Sequence, residues 1–319
     1  MKYEMKNWSW SWIVITALIA VDAGWMGMAH LSVPWKPVLL YACVVGVFLA
    51  VAAVYSYLRP DERLAAMAAS AAQLFAYSVS GSLFSYLIVT LRRPLIDSNL
   101  DAADRAIGFD WPALYAWVGQ HEAIKEVLTL AYGSVIPQIG LLVVLLISWK
   151  RYDRMRSFIW LYIVCGLSYV VLSGFFPAVG AFGYYQTALD TPYVQHFQAL
   201  RAGDGQTLGL FRTLDLFRLQ GVVQFPSFHL TLAVLCAYAT RGIRFLFPAF
   251  VILNLLVIAA TPSIGGHFFA DLWASALLTG ILIYFVDRRT SLIAGCGRAG
   301  KWLNNKEVEP TQAVGEKNR

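Results

Sequence analysis

The sequence predicts an all-α fold, a polytopic transmembrane helix bundle of about eight spans, and three observations predict it. Of its 319 residues 58% are hydrophobic and 14% charged, where a soluble domain carries roughly a quarter charged residues. Apolar runs of about 18 residues or more recur along the chain, each long enough to cross a bilayer as a helix. The polar stretches between them reach only about fifty residues, too short for a separate soluble domain.

The first predicted helix, 10–31, opens on Trp8, Trp10 and Trp12, an interfacial aromatic belt. Lys2 and Lys6 precede it as in a signal peptide, but its apolar core is too long for one and reads as an uncleaved helix. The remaining spans are predicted at 37–58, 64–91, 123–149, 157–179, 225–240, 245–262 and 266–286. Residues 1–63 therefore hold two N-terminal helices and 287–319 a polar tail, expected to be cytoplasmic and disordered. With alternating sides, 17 of the 25 Lys and Arg residues fall on the side of the termini. Positive residues favour the cytoplasm. The expected location is the inner (plasma) membrane, with both termini cytoplasmic. The loops near 92–122 and 180–224 and the turn near 262–266 then face outward.

The net charge of +6 comes from basic residues at helix ends, a topology signal that does not form a nucleic-acid surface. Cys43, Cys165 and Cys236 fall in apolar helices and Cys296 in the tail, without metal-ligand spacing or a disulfide framework. No internal repeat supports a transporter. His30, His121 and His196 read as interfacial polar residues, and Asp22 as a carboxylate paired within the bundle.

Two segments carry chemistry. In Gln224-Phe225-Pro226-Ser227-Phe228-His229 a proline opens a helix whose first-turn N–H groups form an anion site. Ser227 adds a hydroxyl donor and His229 a group that titrates near neutrality. The second segment, 261–271, contains Gly265, Gly266, His267 and Asp271. His267 and Asp271, four apart, share a helical face. The carboxylate can hold one imidazole nitrogen and leave the other as a nucleophile. Gly265 and Gly266 permit close backbone approach to a ligand. Both segments map to the outer side, which suits in-line phosphoryl transfer without a metal or other cofactor. Asp, His and His could also bind zinc, but the phosphate reading accounts for more of the residues.

Pro226-Ser227-Phe228-His229 resembles the Pro-Ser-Gly-His motif of the type-2 phosphatidic acid phosphatase superfamily, and His267-x-x-x-Asp271 resembles its final His-x-x-x-Asp motif. Phe-Pro-Ser-x-His, with Asp101, Asp104, Gly108 and Asp110 in the preceding outer loop, is similar to the branch containing inositol-phosphorylceramide synthases (inositolphosphotransferases). The resemblance implies a six-helix catalytic core over 64–286, with His267 as nucleophile, Asp271 as its orienting partner and His229 as acid to the leaving group. It implies a lipid phosphate as substrate, and either water or a lipid or polyol hydroxyl as acceptor. The family's Lys-x6-Arg-Pro is absent before Pro226, Arg92-Arg93-Pro94 stands in another loop without the Lys, and Ala260-Thr261 replaces the usual Ser-Arg. Arg212 and Arg218, with Arg92 and Arg93 behind them, are the candidates to neutralise the phosphoryl oxygens. Asp101, Asp104 and Asp110 read equally as acceptor ligands or as solvated carboxylates on an amphipathic stretch whose apolar face is Leu100, Ile107 and Phe109. An isoprenoid diphosphate phosphatase and an inactive lipid-binding protein remain the alternatives. Oligomeric state is left open.

Overall fold

The computed structural model describes residues 2–29, 33–202 and 221–306, with side chains over 10–29, 33–202 and 221–288. His30, Arg212 and Arg218 lie outside the described residues. The described residues are all-helical without strands. Six helices are long and apolar enough to cross a membrane, and a seventh span forms if one bent pair is counted together.

The first two helices are α1, Lys2–Met28, and α2, Trp35–Ala53, which continues as a π-helical turn over Val54–Leu58. Both pack on α3, Glu62–Val89. None of the residues of α2 is buried, so its apolar surface faces lipid. Asp22 of α1 accepts from the Ser80 hydroxyl of α3 at 2.6 Å, the intrabundle pairing that the sequence suggests. Asp61 starts α3 by accepting from the backbone N–H groups of Arg63 and Leu64.

The segment expected as one span at 123–149 is two helices, α6, Glu122–Gly133, and α7, Val135–Ser148, bent by 46°. Pro137 supplies the reason: it has no N–H for the Gly133 carbonyl and its ring crowds that position. α8 runs over Tyr152–Phe175. The span expected at 225–240 is shorter than predicted. Its helix, α11, covers only Phe228–Ala239, 12 residues, or about 18 Å against a hydrocarbon core of about 30 Å. Residues 221–227 are non-helical ahead of it. Irregular backbone at membrane depth is tolerated where it lines a cavity, and Gly221, Val223 and Gln224 do so.

α12, Leu246–Gly265, and α13, Phe269–Lys306, complete the bundle. α13 continues as helix through 287–306, where the sequence reading expected disorder. The 4-3-4 spacing of Leu292, Cys296, Ala299 and Leu303 is a helical period. At the end of the bundle away from the site Arg154 donates to the Arg241 carbonyl, Tyr238 donates to Asp287, and Arg241 pairs with Asp287 at 3.6 Å. These contacts tie α8, α11 and α13 together opposite the site.

The opposite end is closed by short helices: α4, Asp97–Ala106, α5, Trp111–Gln120, α9, Gly180–Tyr184, and α10, Pro192–Ala202. Asp97, Asp101 and Asp104 recur along one face of α4 and are all buried. They are neither solvated nor turned outward. Asp97 accepts from Val179 N and Gly180 N at 3.1 and 2.9 Å, starting α9. Asp101 accepts from Arg105 Nε and from the Tyr185 hydroxyl. Asp110 instead caps its own helix α5 by accepting from Ala113 N.

Burial pushes the Asp97 carboxyl up to about 6, overriding the two backbone N–H groups that favour its ionised form. The folded state therefore holds this proton more tightly than the unfolded chain, and Asp97's contribution falls as pH rises from about 4 to about 6. Thermal unfolding in detergent should show wild-type stability declining across that window relative to Asp97→Asn. Parallel pH profiles for the two proteins would refute this.

Candidate functional site

The site forms where α12 ends and α13 begins. Gly266 closes α12 in the left-handed conformation, φ 71°, which glycine adopts without steric penalty. The carbonyls freed at this helix end find partners from other elements. Trp111 Nε1 donates to Pro262 O at 3.0 Å, and Ala181 N donates to Gly266 O at 2.7 Å. The start of α13 is capped from α4: Asp104 accepts from Phe269 N at 2.8 Å and from Ala270 N at 2.6 Å. A carboxylate at a helix N-terminus satisfies orphan donors and complements the dipole. Burial nevertheless raises the Asp104 pKa, with Asp101 and Asp271 adding to the shift and the two N–H groups opposing it.

Held at this junction, His267 Nδ1 meets Asp271 Oδ2 at 2.6 Å, with both residues buried. A carboxylate there keeps the proton on Nδ1 and leaves a lone pair on Nε2. The other oxygen, Asp271 Oδ1, accepts from Ser227 N at 2.8 Å. The same amide approaches Ser275 Oγ at 2.6 Å, and the Ser275 hydroxyl donates to the Asp271 carbonyl at 2.7 Å. One carboxylate thus joins the two sequence motifs.

The free face of His267 opens on a cavity of about 520 Å³ whose wall also includes His229, Tyr132, Tyr193 and Gln224. His229 stacks on Tyr132 with ring centroids 4.2 Å apart and planes 17° from parallel. The Tyr132 hydroxyl lies 2.7 Å from where a Gly265 Cβ would stand, so Gly265 makes room for the ring that supports His229. The Tyr193 hydroxyl and Gln224 Oε1 are buried without a hydrogen-bond partner among the described residues. An aromatic wall, two histidines and polar atoms awaiting partners suit an amphiphilic ligand.

Several sequence-predicted residues are placed differently from expectation. Ser227 is fully buried, and its amide, expected to face an anion, is committed to Asp271. Its hydroxyl lies 3.4 Å from His267 Nε2. Gly266 is a helix cap with the Phe182 ring and Tyr193 hydroxyl against it. Gly265, not Gly266, lines the cavity. Of Phe228, Phe268 and Phe269, only Phe228 reaches the cavity wall; Phe269 stacks on Phe109, and Phe268 packs against Tyr184 and Tyr185. Among the described residues no Lys or Arg lines the cavity, and Arg201 Nη1 donates to the Arg93 carbonyl away from it. Among the described residues no cluster of three or more His, Cys, Asp or Glu side chains is placed to hold a metal.

Tyr132, Tyr193 and Ser275 are site residues without a counterpart in the sequence motifs, while Gln224 and Asp104 stand in segments the sequence singles out but take other roles here. Ser275 had a signal: with Asp271 and Thr279 it forms a four-residue polar ladder along α13, which His267 precedes by two residues. Tyr132 and Tyr193 come from elements remote in sequence and carry no local mark.

A family model described as the PAP2 superfamily matches residues 98–285. No curated protein and no solved structure matches the chain.

Removing the Asp104 cap strands two backbone donors at the start of α13, a loss of about 1–3 kcal/mol. Asp104→Ala should lower the unfolding temperature in detergent, and Asp104→Asn, which keeps one acceptor oxygen, should lower it less. Equal stability of Asp104→Ala and wild type would show that the cap contributes nothing.

Proposed function

The chain belongs to the PAP2 superfamily, and from that membership we propose that it is an integral-membrane enzyme transferring the phosphoryl group of a lipid phosphate through His267. The observation that carries this reading is the 2.6 Å His267–Asp271 hydrogen bond, which leaves Nε2 without the carboxylate, in a residue that lines a cavity together with His229. In the proposed first step His267 Nε2 attacks phosphorus, the P–O bond to the lipid alcohol breaks, and His229 protonates the leaving oxygen. Asp271 keeps the Nδ1 proton and stabilises the charge that forms on the ring. In the second step an O–H group attacks the phosphohistidine, His229 accepts its proton, and the N–P bond breaks. Water as attacker makes a phosphatase; a lipid or polyol hydroxyl makes a transferase, as in the inositolphosphotransferase-like branch that the motifs resemble.

The developing phosphoryl charge needs cations. We assign this to Arg212 and Arg218. Arg218 stands three residues before the cavity-lining Gly221, a chain reach of about 11 Å. In the membrane the proposed arrangement puts the termini in the cytoplasm and the histidines on the outer side of the plasma membrane, as the Lys and Arg distribution favours.

The test uses purified protein with a panel of phosphorylated lipids, with and without diacylglycerol or ceramide, following free phosphate and new lipid together. Phosphate release regardless of acceptor identifies a phosphatase, and a new phospholipid only with acceptor identifies a transferase. His267→Ala should abolish either product while still inserting into the membrane; near-wild-type turnover would remove His267 from the mechanism. Arg218→Ala should reduce kcat by about two orders of magnitude, the effect of losing one charge-stabilising donor. EDTA should leave the rate unchanged, and loss of activity restored by one divalent ion would overturn the metal-free reading.

A further inference from the structure

The cavity does not end at the histidines. It continues between α3 and α8, where Ser78, Gly81, Ser82 and Ser85 face Gly166 and Val170. The α3 residues follow an i, i+3, i+4, i+7 spacing and so form one stripe on the helix. All four are small, and where α3 and α8 pack together they leave a slot that the Tyr77 ring shares, its hydroxyl filling the space over Gly166.

The hydroxyls of Ser78, Ser85, Tyr162 and Tyr169 along this slot are already used. Ser78 donates to Leu74 O at 2.7 Å and lies 2.8 Å from the Tyr162 hydroxyl, and Ser85 donates to Ser82 O at 2.6 Å. Tyr169 donates to Ser275 O at 2.8 Å. A serine whose proton returns to its own helix offers chiefly carbon to its surroundings. The head end of the same cavity is the opposite, with the histidines and the unpartnered Tyr193 and Gln224. The volume is within the range of sites that enclose a single small ligand.

We propose that the α3–α8 slot receives one hydrocarbon chain of the substrate, and that Gly81 and Ser82 set how much of that chain is accepted. The substrate class is then an amphiphile with a phosphoryl group at His267 and a single chain directed between α3 and α8. This rests on the assignment of His267 to the phosphoryl end. An ideal Gly81 Cβ meets nothing nearer than the Tyr77 ring at 3.4 Å, an ordinary contact. A larger side chain there competes with the Tyr77 ring for the space of the slot.

The experiment measures affinity of the full-length protein in detergent for n-alkyl phosphonates of two to ten carbons, which bind without being hydrolysed. Each methylene that enters the slot from water adds up to roughly fourfold in affinity. Partition into micelles is common to all proteins and cancels between variant and wild type. Gly81→Leu and Ser82→Leu should match wild type for the shortest phosphonate and fall at least about tenfold behind for the longest, once several methylenes are excluded. Gly81→Ala, whose Cβ makes only that ordinary contact, should lie between and guards against misfolding of the leucine variants. Wild-type chain-length dependence in the folded variants, or none in wild type, would overturn the slot. Failure of turnover with the chain-length pattern intact would overturn the proposed activity and leave the slot standing.

Discussion

The bridging carboxylate of Asp271 is the contact on which the rest of the site depends. One oxygen holds His267 Nδ1 at 2.6 Å and the other accepts from the Ser227 amide at 2.8 Å. The first bond fixes the ring and its tautomer. The second fixes the start of α11, and with it the position of His229 two residues later. A buried carboxylate is costly unless its lone pairs are met, and here both oxygens are used. The price of burying Asp271 is thus tied to the geometry of His267, the proposed nucleophile.

Around that contact, the bundle is built to hold one helix junction steady. α12 must stop and α13 must start within a few residues at membrane depth, where unpaired backbone groups are expensive. The short helices supply the missing partners: Trp111 from α5, Ala181 from α9 and Asp104 from α4. The buried acidic face of α4 is therefore structural scaffolding for the site. Its carboxylates are spent on helix starts and on Tyr185, which leaves none of Asp97, Asp101 and Asp104 as a solvated acceptor ligand.

The shortness of α11 has a functional consequence. A helix of 12 residues that is anchored at one end of the bundle through Arg241 and Asp287 cannot bring its first turn to the opposite surface. His229 therefore sits recessed, beside a cavity rather than at an exposed face. For the proposed lipid substrate, a recessed site reached through apolar walls would let the head group enter without leaving the hydrophobic phase. It also shields the histidines from bulk water, which strengthens their electrostatic interactions.

The sequence by itself determined the helical membrane class, most of the span positions and the two motifs that identify the family. Each is a local property: apolar run length, helical periodicity, or residues a few positions apart. His267 and Asp271 were legible as an i, i+4 pair, although His267 stands just ahead of the first turn of α13, and the Asp271–Ser275–Thr279 spacing carried the same local signal. Only the tertiary structure decided that Ser227 serves Asp271 with its amide, that Asp104 caps α13, and that Tyr132 supports His229. It also decided that 123–149 bends, that α11 falls short of a full span, and that a slot opens between α3 and α8. These features join residues far apart in the chain, and no periodicity or spacing encodes such pairings, because packing alone selects them.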